Sequence, residues 1–461
     1  MNFLEIKRME NIATEYFEIL EEYFRGIYQP GLDKYLMAEK ISHMDIAIKT
    51  IILSLNDLEE DLNKLWDKYG ESLIEISKDP NTFKVLYCGN PSPLNGITFV
   101  KRTALYLDSL FIEDPIMFLL KTKKVATDRA YLNQMIKHAF NLLDLKKLFY
   151  GEGSVPLLII FPPFTNDESR SKINGIINQS GDEYFKLLFE RDFMNTEDVF
   201  DFLNNITSVN NLMLKVQNSN FFFPDTTDKP ERVFSLYTDI KESWKNNNNI
   251  TVGTALGYKI YGQFSNIGTQ VFQAQRLSSQ IVFDRREYWD LYKWDLSQKK
   301  GVTFDIEHIL LNSMQLDDFK WLENIDIDKL NIARNEEEIL KLRSVIRKNI
   351  HTTIGEFNEE KVARQAVRNL EEALVEHSKK VTDYSKQLKR KLGIDSIIVA
   401  GGTIASIPAT FGLSSVIGGL SAIYGIWDYA SSTAKIHKER ERLNNSMMGV
   451  LFDAREQRIR D

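Results

Sequence analysis

"ARQAVRNLEEALVEHSKKVTDYSKQL", residues 363–388, places Ala363, Val367, Leu370, Leu374, His377, Val381, Tyr384 and Leu388 at spacings of 4, 3, 4, 3, 4, 3 and 4. That alternation averages one inward position per 3.5 residues, the period of a coiled-coil seam. Most positions between are charged or polar, so the pattern predicts one amphipathic helix with a narrow apolar stripe. Such a helix is roughly 38 Å long at about 1.5 Å per residue. A second seam with the same alternation follows at Tyr429, Thr433, Ile436, Arg440, Leu443, Met447, Val450 and Ala454. A helix that leaves and a helix that returns most simply pack as an antiparallel hairpin. The competing reading packs each seam on the rest of the chain instead.

Between the seams lies "GIDSIIVAGGTIASIPATFGLSSVIGGLSAIYGIWDY", residues 393–429, with no charged side chain between Asp395 and Asp428. As one straight helix, residues 396–427 would reach roughly 48 Å, well beyond the ~30 Å hydrocarbon core of a bilayer. Pro408 argues against that helix, because its ring removes a backbone donor and crowds the preceding turn. The two arms it leaves are each too short to span. Gly401, Gly402, Gly412, Gly418, Gly419 and Gly425 permit close backbone approach, the packing mode of helices in lipid. In water each interior helical glycine costs about 1 kcal/mol relative to alanine.

Both flanks are basic, with Lys386, Lys389, Arg390 and Lys391 before the stretch and Lys435, Lys438, Arg440 and Arg442 after it. Cations on both sides suit a segment that enters and returns at one anionic face. The expected contact tip, at 394–428, comprises Ile397, Ile398, Gly401, Gly402, Ile404, Pro408, Phe411, Leu413, Gly418, Gly419, Leu420, Tyr424 and Trp427. Tyr424 and Trp427 stand where interfacial anchors would act. A membrane surface, the remainder of the chain, and a protein partner or second copy stay open as what covers it.

Composition limits the rest. At 461 residues, 43% hydrophobic and 27% charged, the chain is long and apolar enough for two or three folded domains. A formal charge of −7 and a pI near 5.6 argue against nucleic acid as a partner for the chain as a whole. Cys88 is the single cysteine, so no intramolecular disulfide forms; its apolar setting in "VLYCGN" predicts a buried inert thiol. "MNFLEIKRMENIATEYFEILEEYF" carries acids throughout and builds no export signal, which points to the cytoplasm, at most peripheral to the membrane's inner face.

The fold class predicted is mainly α with a minor β component. Three regions are expected: a helical region over 1–150 with a short strand, a mixed region over 151–330, and the hairpin over 331–461. Helices are predicted from Asn11 to about Ile27 and from Ser42 to Tyr69, the latter on Ile46, Leu53, Leu58, Leu62 and Leu65. "FKVLYC" and "SVPLLIIFPPF" read as strands, and "FVKRTALYLDSLF" as helix.

Candidate chemistry is sparse. "FDIEH" offers Asp305, Glu307 and His308, yet only Asp305 and His308 would converge on a helix, and a helix start explains the same residues. Asp108, Glu113 and Asp114 in "YLDSLFIEDPI" would suit a metal-dependent nuclease, but no Glu-x-Lys pair follows and "EDP" reads as a helix exit. "GEGSVP" lacks the Lys-Ser or Lys-Thr of a phosphate loop. His377 sits in a packed seam, where protonation would loosen the packing. No catalytic residue, metal ligand set or cofactor site is assigned.

The layout resembles that of helical membrane-perturbing effectors, including those of bacterial toxin and antiphage defence systems, in its body, stalk and apolar tip. That resemblance covers only the last ~100 residues and implies a non-enzymatic effector with an interaction surface on the hairpin. A soluble oligomeric scaffold and a metal-dependent nuclease are the alternatives.

Overall fold

A computed structural model of the chain describes residues 2–29, 33–79, 81–88, 93–122, 128–151, 155–163, 167–218, 223, 227–243, 249–283, 286–298, 306–315, 317–334, 336–347 and 359–392. It also describes 435–460 apart from 437, 440, 441, 444 and 445. The protein is mostly helical with one small parallel sheet. It divides into two units, one of Met1–Pro93 with Ser109–His308, the other of Leu94–Asp108 with Ile309–Asp461.

In chain order, α1 (Phe3–Phe24), α2 (Lys34–Ser42) and α3 (Asp45–Ser77) lead into β1 (Lys84–Cys88). α4 (Pro93–Thr103), β2 (Ser109–Glu113), α5 (Pro115–Thr122), α6 (Asp128–Leu145) and β3 (Leu158–Phe161) follow. Five helices then intervene before the last strand: α7 (Asp167–Phe189), α8 (Thr196–Asn204), α9 (Val209–Lys215), α10 (Lys229–Ser243) and α11 (Val252–Arg276). After β4 (Gln280–Phe283) come α12 (Arg286–Gln298), α13 (Ile306–Ser313), α14 (Ile327–Ala333), α15 (Glu336–Arg347), α16 (Glu359–Leu392) and α17 (Met447–Arg460).

Local chemistry sets these boundaries. α1 opens on a capping box in which Asn2 accepts from the Leu4 and Glu5 N–H groups and Glu5 reaches back to the Asn2 N–H. Its buried face, Ile6, Met9, Ala13, Tyr16, Leu20 and Phe24, keeps the three- and four-residue spacing of an amphipathic helix. α3 buries Leu55, Leu58, Leu62 and Leu65, whereas Leu53, expected on that face, is 77% exposed. Two residues from Leu55 is about 200° around the helix, which turns Leu53 to the opposite side.

The four strands are all parallel, in the order β3-β2-β1-β4. Leu86 lies between Phe111 of β2 and Ile281 of β4, and Glu113 opposes Phe161 of β3. Parallel strands buried on both faces read as unbroken apolar runs, as "VLYC", "LIIF" and "IVF" do. The helix predicted across "FVKRTALYLDSLF" stops at Thr103, and "SLFIE" forms β2 instead. Five apolar residues are too few for periodicity to separate strand from helix; ladder pairing on both sides decides it. Cys88 is fully buried on β1.

α7, α8 and α11 close a second part of the first unit around Phe185, Leu188, Val199, Leu203, Leu256 and Phe264. α11 starts at a Thr251 capping box and approaches α8 closely at Gly253, whose N–H donates to the Ile206 carbonyl at 2.9 Å. A Cβ there would overlap the Leu203 carbonyl oxygen.

In the second unit, residues 94–108 are held by arginines from α14's C-terminal edge and α15. Arg334 donates to the Ala104 and Asp108 carbonyls, Arg343 to the Tyr106 carbonyl, and Arg347 to the Tyr106 hydroxyl at 2.6 Å. α16 buries Ala363, Ala366, Leu370, Leu374 and His377. Asn369 is also buried, donating Nδ2 to the Ile346 carbonyl at 2.9 Å. The buried face is thus wider than a two-helix seam, because α15 packs on α16 as well as α17.

Candidate functional site

The C-terminal helices carry the first set of candidate residues. Seam positions Leu370, Leu374 and His377 of α16 are buried, and so are Met447, Val450 and Ala454 of α17. The His377 ring lies 6.3 Å from that of Phe452, and Arg455 Nη2 is 3.4 Å from Glu371 Oε1. Residue numbers rise along α16 as they fall along α17 across these contacts, so the helices run antiparallel where they touch. Val381 is half-buried, and Thr382, Asp383, Lys386 and Gln387 beyond it are exposed.

Ile436 and Leu443 are helical and half-buried; Lys435 and Lys438 are helical and exposed. Leu388, Lys389, Arg390 and Lys391 belong to the last turns of α16. The contact tip, from Ile397 through Trp427, lies outside the described residues, as do Arg440 and Asp305. No helix among the described residues is long and apolar enough to cross a membrane. Burial and the Lys380 charge hold the His377 imidazole below its ordinary pKa, against the pull of Asp453 and Glu338.

The acidic candidates have structural partners. Asp108 accepts from Arg343 Nη2 at 2.7 Å in the second unit. Asp114, in the first unit, is fully buried and accepts from four donors: Tyr16 Oη at 2.9 Å, Trp66 Nε1 at 2.8 Å, and the Ile116 and Met117 N–H groups at 2.9 and 3.1 Å. It therefore caps the entry of α5, and "EDP" is a helix start, not the predicted exit. Burial pushes the Asp114 carboxyl up in pKa while the four donors pull against it. Glu307 and His308 lie in α13, which opens at Ile306 as the helix-start reading requires. Among the described residues no three or more His, Cys, Asp or Glu side chains group in a way that would hold a metal ion.

The arrangement that sequence reasoning missed is a cavity of about 280 Å³ at the carboxyl edge of the sheet, wholly within the first unit. Parallel pairing brings the ends of three strands to one edge: Leu86 and Tyr87 of β1, Ile112 and Glu113 of β2, and Phe161 of β3 line it. Pro115 and Phe118 of α5 and Tyr288 of α12 add to the walls. Open parallel sheets hold ligands outside the carboxyl ends of their strands, the edge that this cavity occupies.

The remaining wall is a row of carboxamides, Asn266, Gln270 and Gln273, on one face of α11. Their spacing of four and three residues stacks them along the helix. Gln273 is 2% exposed; its Oε1 accepts from Arg276 Nη1 at 3.2 Å, and its Nε2 has no hydrogen-bond partner. The signal was present in the sequence: Gln263, Asn266, Gln270 and Gln273 repeat at 3, 4 and 3 within a helix whose other inward positions, Thr254 apart, are apolar. Period-matched amides on a buried face need a polar partner.

No protein-family model matches the chain, and no curated protein and no solved structure matches it.

Proposed function

We propose that this protein is a non-enzymatic interaction or effector protein whose C-terminal helices form an antiparallel hairpin and deliver the uncharged segment between them to a membrane surface. The observation that carries the reading is the direct continuation of a polar, 34-residue helix, α16, into a stretch with no charge from residue 396 to 427, with lysines and arginines on both sides. Supporting it, exposed Lys386 precedes the stretch and exposed Lys435 and Lys438 follow it. Cations near an anionic surface contribute about 1 kcal/mol each. The glycines let short apolar arms pack together where water is excluded.

α17 belongs to the packed second unit through Met447, Val450, Leu451 and Ala454, so truncating the chain before the segment would also strip that packing. The test therefore keeps the full chain and puts charge into the segment, comparing it with an Ile404→Lys, Leu420→Asp variant in sedimentation with vesicles containing anionic lipid. A loss of at least fivefold in vesicle-bound protein is expected. Equal partitioning of the two proteins overturns the reading. Light scattering on the same pair identifies the scaffold alternative, which requires the wild-type chain to be an oligomer that the substitutions dissociate.

A further inference from the structure

We infer that the cavity at the carboxyl edge of the sheet is a binding site for a nucleobase bearing an exocyclic amino group, taken up as a nucleoside. Three features of the wall select that chemistry. First, among the described residues that line the cavity there is no lysine or arginine, and the charged one is Glu113. A site built for phosphate presents cations or a row of backbone N–H groups, whereas the described lining, amides with a carboxylate, suits an occupant whose buried part is neutral and rich in donors.

Second, the carboxamides supply paired donors and acceptors. A carboxamide matches an edge that offers an amino donor beside a ring-nitrogen acceptor, and a carboxylate accepts from an exocyclic amine, as in the recognition of adenine and cytosine edges. Gln273 is the decisive group. Its Nε2 is buried without an acceptor in the cavity wall, and leaving such a donor unpaired costs about 1–3 kcal/mol. A ring nitrogen of the occupant would supply the missing acceptor.

Third, Tyr87, Phe118, Phe161 and Tyr288 give the cavity aromatic walls. Aromatic side chains bind unstacked bases through their faces, with little dependence on which base is bound. The cavity's size sets the scale, because about 280 Å³ is at the lower limit of the ~300–1,000 Å³ found for drug-sized ligands. One ring system fits it, and a dinucleotide does not.

The test is isothermal titration of the full chain with adenosine, cytidine, guanosine and uridine, alongside Gln273→Leu and Gln270→Ala variants. At least one amino-bearing nucleoside is expected to bind one per chain, with uridine at least tenfold weaker. Each variant should weaken that binding tenfold or more. Gln270 is only half-buried, so Gln270→Ala retains the fold should Gln273→Leu fail to. The 5′-monophosphate of the bound nucleoside should bind no tighter than the nucleoside itself. The inference is overturned by the absence of saturable binding of any nucleoside up to millimolar concentration, by binding that both folded variants leave unchanged, by uridine binding equally well, or by a monophosphate binding more than tenfold tighter.

Discussion

The Arg343 guanidinium donates at once to the Tyr106 backbone carbonyl and, at 2.7 Å, to the Asp108 carboxylate, tying α15 to the strip 94–108 that precedes β2. The two side chains are 11% and 21% exposed, so the pair is mostly withdrawn from water. Removing one partner of such a pair leaves a charge and its donors uncompensated. Asp108→Ala is expected to destabilise the second unit by about 3 kcal/mol, and Arg343→Lys by less, since lysine keeps the charge but not the fork. Urea unfolding of each variant against wild type checks both. An unchanged midpoint for Asp108→Ala would remove the clamp from the account.

Gly253 and Gly262 sit on the same helix and predict opposite signs. A Cβ at Gly253 meets the Leu203 carbonyl oxygen and crowds Ile206, both on the chain it packs against, so Gly253→Ala forces α8 and α11 apart. Overpacking of this kind costs about 1–3 kcal/mol. Nothing lies within 4 Å of a Cβ at Gly262, so Gly262→Ala gains up to about 1 kcal/mol of helix propensity. Thermal unfolding of the two single variants should move in opposite directions.

His138 is buried, and burial, with the Lys137 charge adding to it, pulls its imidazole down to about 4. Above the unfolded value of about 6.5 the histidine is neutral in both states and exerts no penalty. As pH falls from there towards 4 the unfolded chain binds the proton and the folded one does not, so stability drops by roughly 3 kcal/mol across that window. His377, also depressed by burial, acts in the same direction. His138→Gln should flatten the stability profile between pH 6.5 and 4 in urea titrations, while the profile at pH 7.5 and above keeps its shape.

Asp114 tests whether a buried carboxylate is needed where four donors meet. In Asp114→Asn the amide nitrogen must face either Trp66 Nε1–H or the Tyr16 hydroxyl with the two backbone N–H groups. At least one donor is then set against a donor, at a cost of about 2–3 kcal/mol. Tyr16→Phe, which removes one donor and leaves the carboxylate with its other three, should cost closer to 1 kcal/mol. A shift in tryptophan emission for Asp114→Asn would report the altered Trp66 contact.

Much of this architecture is written in periodicity. The long helices α1, α3 and α16 announce themselves by repeated apolar spacing, and β1 and β3 by short apolar runs bracketed with proline and asparagine. β2 and β4 do not, because four or five residues fit either period and are fixed by neighbours far along the chain. On α16 Ala363, Leu370, Leu374 and His377 are buried, and Ala366 and Asn369 widen that face towards α15 in a way that a two-helix seam does not foresee. Asp108 and Asp114 attracted a catalytic reading because sequence shows charge and not partners. The amide row of α11 escaped notice for the converse reason: amides carry no charge, and their placement matters only once the sheet's edge is known.

The strip 94–108 is translated long before most of the unit it belongs to. During synthesis its apolar residues Val100, Leu105, Tyr106 and Leu107 leave the ribosome about 200 residues ahead of Ile309, the start of the remainder of that unit. At about 5–20 residues per second the nascent chain carries that strip without the rest of its unit for roughly 10–40 seconds. Completion of the second unit thus waits for the last third of the polypeptide, and a premature stop near residue 308 leaves the wait without an end.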